Sequence, residues 1–297
     1  MTARKKLILL LLLLLGTMLL YFAVFCGRDK PEIKNTLVFY LPGKDVPPLK
    51  LRRIPPGKFM MGAPDTEPGN CEKYYRTEYV NYEFWMGIYE VTQKQWEALK
   101  MPNYSLQYAP DNPVETVGYY QILEYCQQLN RLYADKLPRG YKFYLPSDIE
   151  WEYACRAGTA TGLNSGKNLT GESENHRDSN LDELGWYKMN SPDEKHHPVG
   201  LKKPNAWGLY DMHGNVREWT RSWGFSFYCG IKRIRGGGFL DEAAACRSAK
   251  TFRIGSRGAT DDLGFRIALV RECDIASNEA VKIRDSEEFI DIRRKKL

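Results

Sequence analysis

Pro204-Asn205-Ala206-Trp207-Gly208-Leu209-Tyr210-Asp211-Met212-His213-Gly214-Asn215-Val216-Arg217-Glu218-Trp219 is the stretch from which the fold of this chain is read. Taken alone, it opens a region of short strands and many turns, in which Asp211 and Glu218 read as ordinary turn and capping carboxylates. Before it, Gly158 to Gly200 is rich in Gly, Ser, Asn and Asp and has little apolar periodicity. Such a run inside one domain reads as a long loop region, where binding residues tend to sit.

Upstream of that loop the sequence predicts three helices. Thr92 has the character of an N-cap, with Gln95 three positions later as its reciprocal partner and Trp96, Ala98 and Leu99 following. A second helix is predicted over Tyr119 to Ala134, where Ile122, Tyr125, Cys126, Leu129 and Leu132 form an apolar stripe. A third runs from Ser147 to Ala157, capped by Ser147 with Glu150 three later, and turns Trp151, Ala154 and Cys155 inward. Leu51 to Gly62, broken by Pro55-Pro56-Gly57, reads as strand, turn and strand, and Tyr79 to Glu90 is strand-like.

In series with the opening stretch stand Ile54-Pro55-Pro56-Gly57-Lys58-Phe59-Met60-Met61-Gly62, Tyr89-Glu90-Val91-Thr92-Gln93-Lys94-Gln95-Trp96 and Pro113-Val114-Glu115-Thr116-Val117. Leu145-Pro146-Ser147-Asp148-Ile149-Glu150-Trp151-Glu152-Tyr153-Ala154 precedes it. Arg235-Gly236-Gly237-Gly238-Phe239, Cys246-Arg247-Ser248-Ala249 and Gly264-Phe265-Arg266 come after it. One alone is weak. Together, in this order, they resemble the formylglycine-generating-enzyme, or sulfatase-modifying-factor, family. The resemblance implies a single α+β domain of low regular content on a C-type-lectin-like core. On this reading residues 51–271 form the domain, 28–50 a linker, 1–27 an N-terminal anchor or signal segment, and 272–297 a charged tail, either a solvated helix or a frayed end.

The family's reaction oxidises a sulfatase cysteine to formylglycine with O₂ on a copper(I) ion between two cysteine thiolates five residues apart. By this resemblance the second thiolate matches Cys246, but the first position holds Asp241. A carboxylate is a hard ligand and a poor replacement for a thiolate on Cu(I), which argues against a copper centre unless another cysteine, Cys229 first, folds into place. The residue-level alternatives are a buried small hydrophobe for Cys246 and backbone-bonding or acid–base work for Asp241. Arg217 stands where the family usually has Trp, and either makes the substrate cleft cationic or faces solvent. Arg247 and Ser248 are expected at that cleft. The resemblance also implies a structural Ca²⁺ held by the side chains of Asp211 and Glu218 and the carbonyls of Gly214 and Val216, a donor set that suits a hard cation.

The ends and the bulk composition set the setting. Leu7 to Cys26 are twenty uncharged positions behind Arg4, Lys5 and Lys6. That length matches a bilayer core of about 30 Å, and the basic flank keeps the N-terminus cytoplasmic. The reading is a membrane-anchored body facing the periplasm or extracellular space. A secreted protein with a cleaved signal, or a lipoprotein through Cys26, is the alternative. The chain has 297 residues, 27% charged, and a formal charge of +6 concentrated partly at the ends, which does not support a nucleic-acid footprint. Six cysteines lie beyond the hydrophobic segment without a C-x-x-C pair, so disulfides are permitted and a zinc ribbon is not indicated.

Three functions remain open from sequence: a ligand-binding or accessory module without copper-dependent oxidase activity, an enzyme of the same family with other oxidative chemistry, and a sulfatase activator. An exported protein or peptide is the expected partner in each.

Overall fold

The computed structural model describes residues 35–69, 74–171, 177–191, 193–224 and 230–275. The chain divides into residues 1–35 and 36–297, and every described strand and helix belongs to the second unit. The hydrophobic segment Leu7–Cys26, the residues Cys71, His176 and Cys229, and positions 276–297 of the predicted tail lie outside the described residues. Among the described residues no helix is long and apolar enough to cross a membrane.

The elements run β1 (Thr36–Phe39), β2 (Leu49–Ile54), β3 (Gly57–Met61), β4 (Arg76–Val80), β5 (Phe84–Gly87), α1 (Gln93–Ala98) and α2 (Tyr119–Leu132). They continue with β6 (Tyr141–Tyr144), α3 (Asp148–Arg156), α4 (Ser179–Asp182), β7 (Arg217–Trp223), β8 (Ile231–Arg235) and a 3₁₀ turn (Ala243–Cys246). β9 (Phe252–Gly255), β10 (Leu263–Gly264) and β11 (Ala268–Arg271) close the order. Residues 272–275 add a helical turn whose Ile275 is buried.

Local chemistry explains where the helices begin. Thr92 caps α1 and Ser147 caps α3, each with the capping box completed by the residue three positions on, Gln95 and Glu150. α2 starts behind Gly118, buries Ile122, Tyr125, Cys126 and Leu129, and ends at Leu132 with Tyr133 as its C-cap, two residues short of the predicted Ala134. Tyr79 to Glu90 is not one strand. β4 pairs with β3 in a two-stranded hairpin, while β5 enters the five-stranded sheet β1-β2-β5-β11-β6, so the chain breaks between them.

That sheet is buried on both faces. Along β5, Trp85 joins the apolar cluster containing Trp96, Tyr125 and Phe265, whereas Phe84 and Met86 join the one containing Trp151, Leu209 and Met212. β11 alternates likewise, with Leu269 in the first and Ala268 and Val270 in the second. α1 and α2 thus cover one face and α3 the other. A second sheet, β10-β7-β8-β9, carries the start of β7 beside the short parallel strand β10. A third cluster, including Leu163, Leu184, Tyr187 and Cys246, lies under the long loop. This second sheet and the loop together position the candidate site.

Candidate functional site

Arg217 opens β7, and its backbone N–H donates to the Asp262 carbonyl at 2.7 Å. Its guanidinium meets Asp241 in a two-pronged ion pair, Nε to Oδ2 at 2.7 Å and Nη2 to Oδ1. Nη1 also lies 3.2 Å from Asp262 Oδ2, and the guanidinium sits over the Phe252 ring at 4.6 Å. Asp241 is held in its turn by the Gly238 N–H, which donates to Oδ2 at 2.9 Å. Its own N–H returns to the Gly238 carbonyl. Arg217 therefore keeps a quarter of its side chain in solvent and does not present an unpaired cation. It is bound to two carboxylates.

Cys246 ends the 3₁₀ turn and is fully buried. Gly237, at φ +69°, lies against it so closely that a Cβ there would stand 2.7 Å from the Cys246 Sγ. Burial first, and then the nearby Asp241 carboxylate, push the Cys246 thiol well above its ordinary pKa. Without a bound metal it stays protonated at neutral pH. His213 supports this turn from beneath. Its Nδ1 donates to the Cys246 carbonyl at 2.7 Å and its Nε2 accepts from the Asn164 N–H at 3.0 Å, which fixes a neutral tautomer. Burial lowers its pKa to about 4.

Arg247 and Ser248, expected at the cleft, are bonded inside the body. Both are fully buried. Arg247 pairs with Glu67 at 2.6 Å and donates to the Gly69 carbonyl. The Ser248 hydroxyl donates to the Gly162 carbonyl at 3.1 Å. A buried guanidinium needs a counter-charge and full hydrogen bonding, and Glu67, 180 residues away, supplies the charge. These two residues clamp the loop to the body, and neither side chain is exposed.

The expected calcium residues lie in a buried carboxylate cluster. Glu218 Oε1 and Oε2 both accept from Arg266, and Oε2 also accepts from the Trp151 indole at 2.7 Å. Asp211 Oδ2 accepts the Gly200 N–H, while its Oδ1 is buried without a hydrogen-bond partner. A third carboxylate, Glu90, was not singled out from sequence. It accepts from the Val216 N–H at 3.1 Å and the Asn215 amide at 2.6 Å. Burial, with Asp211 and Glu218 nearby, raises its pKa well above the usual range. Burial likewise raises Asp211 to about 6. Three carboxylates thus face one guanidinium. Among the described residues no three His, Cys, Asp or Glu side chains form a metal cage, so a cation here would depend on backbone oxygens. The stranded Asp211 Oδ1 fits such a cation, and the engagement of Glu218 by Arg266 leaves it fewer free lone pairs than the resemblance implies.

Comparisons with known proteins bear on this geometry. Residues 48–271 match the family described as "Sulfatase-modifying factor enzyme 1-like domain". The chain is 29% identical over 233 residues to "Chaperone protein LppX" of Paenibacillus barcinonensis, covering 62% of this chain and 79% of that protein. It is 26% identical over 192 residues to the "Formylglycine-generating enzyme" of Bos taurus, covering 58% of this chain and 48% of the enzyme. The chain thus spans most of the first relative but only about half the length of the second. Among solved structures, PvdO from Pseudomonas aeruginosa superposes with a TM-score of 0.66 at 25% identity, over 80% of this chain and 98% of that one.

Proposed function

The chain belongs to the formylglycine-generating-enzyme, or sulfatase-modifying-factor, family, and from that premise we propose that it is a binding or accessory member without copper-dependent cysteine oxidase activity. The observation that carries this is the ion pair of Arg217 with Asp241 beside the buried Cys246 thiol. By the resemblance, Asp241 occupies the position of one copper thiolate and Arg217 that of a cleft tryptophan. Two departures that look independent in the sequence satisfy each other in space. Copper(I) prefers soft thiolates, and here it would meet a carboxylate already neutralised by a guanidinium and a thiol that resists deprotonation. The name of the LppX relative supports an accessory role for a partner protein.

The body works outside the cytoplasm in this proposal, held at the membrane by Leu7–Cys26. The support is the sequence alone: the length of that uncharged run and the basic residues before it. The proposal also includes a calcium ion held by the Asp211 and Glu218 carboxylates and the Gly214 and Val216 carbonyls. Calcium would add positive charge to that of Arg266, the guanidinium that the three buried carboxylates share. Glu90 then positions the Asn215 side chain and the Val216 backbone through its two hydrogen bonds.

The test is oxidation of a cysteine peptide bearing a sulfatase recognition sequence, with O₂, Cu(I) and reductant, read by mass spectrometry. The proposal expects the peptide to be recovered unoxidised. Turnover to formylglycine would instead establish the family's oxidase reaction for this chain.

A further inference from the structure

The five-stranded sheet loses its cover toward the β1 edge. Directly paired residues of antiparallel strands share a face. The pairs Val38 with Lys50, Thr36 with Arg52, and Arg52 with Met86 therefore lie on the face that α3 covers farther in. Met86 is sealed there, in the cluster with Trp151 and Leu209. On β1 that apolar cover has ended. Val38 is 43% exposed, Lys50 opposite it is exposed, and Tyr40, the residue after β1, is 76% exposed.

Arg52 stands half-buried at the limit of the cover. Its guanidinium lies on Gly208, at φ +78°, so closely that a Cβ there would stand 3.0 Å from Nη2. Its Nε is sealed from water with no hydrogen-bond partner, and no carboxylate among the described residues pairs with it. The other inward arginines are treated differently. Buried Arg156, Arg221, Arg235, Arg247 and Arg266 each hold a carboxylate. Arg53, turned to the opposite face, pairs with Glu83 at 2.7 Å. A guanidinium withdrawn from water needs a counter-charge, and Arg52 has none within the described chain.

We propose that Arg52, with Lys50 on the same face, binds the phosphate of an anionic phospholipid headgroup, while Val38 and Tyr40 rest at the lipid interface. This rests on the reading that Leu7–Cys26 holds the body at a membrane, and it adds a second lipid contact made by the folded domain itself.

Charge, composition and chain length select this occupant. The planar guanidinium fork matches two phosphate oxygens, and Lys50 adds a point charge about 7 Å along the strand. Residues 36–52 carry Lys44, Lys50 and Arg52 against Asp45 alone. Tyrosine and aliphatic side chains beside basic ones suit a bilayer interface, whereas a free anion makes no use of Val38 and Tyr40. Only residues 27–35 separate Cys26 from β1, at most about 35 Å of extended chain. That tether confines β1 to the neighbourhood of the bilayer in which the hydrophobic segment would sit.

For the experiment the full chain is assembled in nanodiscs of phosphatidylcholine and of phosphatidylglycerol, and hydrogen exchange is read over residues 36–54. Exchange there should be slower in phosphatidylglycerol. Lys50→Gln and Arg52→Gln should each weaken docking about fivefold, and together they should erase the difference. The melting temperature should stay unchanged, because neither side chain holds a partner among the described residues. Arg257→Gln, which removes an exposed cation beyond β9 of the other sheet, should change nothing. Equal exchange in the two lipids overturns the proposal, as does a difference that survives K50Q/R52Q or vanishes with R257Q. Equal protection by inorganic phosphate added to phosphatidylcholine discs also overturns it, since that assigns the site to a free anion. Coelution with phosphatidylcholine discs reports separately on the anchor. A chain released from those discs but held by phosphatidylglycerol through Arg52 keeps the site and loses the anchor.

Discussion

The Arg217 guanidinium and the Asp241 carboxylate, 24 residues apart in the chain, are locked face to face, with Nε 2.7 Å from Oδ2. Asp262 completes the arrangement from the other side at 3.2 Å. The pair should therefore show energetic coupling. Arg217→Trp leaves Asp241 and Asp262 without their cation, and Asp241→Cys leaves Arg217 with Asp262 alone. The first variant should be the less stable. The double variant should recover about 1 kcal/mol of the summed losses, a modest value because Arg217 keeps a quarter of its side chain in solvent. A double-mutant cycle on the melting of the full chain measures it, and strict additivity would show that the two residues do not cooperate.

Arg247 was expected to touch substrate and is instead sealed against Glu67. Arg247→Ala should destabilise the protein by roughly 3–5 kcal/mol, since it strands a buried carboxylate. Arg247→Ala with Glu67→Leu should be much milder. Loss of ligand binding at unchanged stability would return Arg247 to the cleft.

The calcium proposal predicts a melting temperature that rises with Ca²⁺ and falls with chelator. Ligand at a hundredfold excess over Kd stabilises by about 2.7 kcal/mol. Asp211→Ala should remove that response. Glu90→Gln should reduce it while leaving the fold intact, because Gln can still accept the Val216 N–H. An unmutated protein indifferent to calcium and to chelator would eliminate the site.

Acid should unfold this protein in part through His213. Its folded pKa is lowered from 6.5 to about 4, so between those values the unfolded chain binds a proton that the folded one does not. Stability from His213 is thus complete above pH 6.5 and is lost as pH falls toward 4, by roughly 3 kcal/mol for a shift of this size. Asp211 acts in the opposite sense. Raised from 3.8 to about 6, it loses stability as pH rises through that range. His213→Gln isolates the first effect: the variant's melting temperature should fall less steeply between pH 6.5 and 4. An identical slope would show that His213 does not carry it.

What the sequence disclosed and what it concealed divide along chain separation. The caps Thr92 and Ser147 were legible because each partner lies three residues away, and the α2 stripe because helical period places Ile122, Tyr125, Cys126 and Leu129 on one face. The family motifs located Asp241, Cys246 and Arg217 and identified the two departures. Their mutual pairing was not legible, since an Arg and an Asp 24 residues apart have no local signature. Glu90 stood in a quoted motif without a role, because its partners Asn215 and Val216 are 125 and 126 residues on.

The proposed lack of a copper centre is tested most directly by the affinity of the full chain for Cu(I), measured by competition with a chromophoric chelator alongside Asp241→Cys and Cys246→Ala. The unmutated protein should bind Cu(I) weakly, with Cys246→Ala changing little. Asp241→Cys should raise the affinity substantially by restoring a thiol pair five residues apart, whether or not oxidase activity follows, since Arg217 remains. Tight Cu(I) binding by the unmutated chain, abolished by Cys246→Ala, would contradict the proposal and require another ligand to complete the centre, with Cys229 the first to replace.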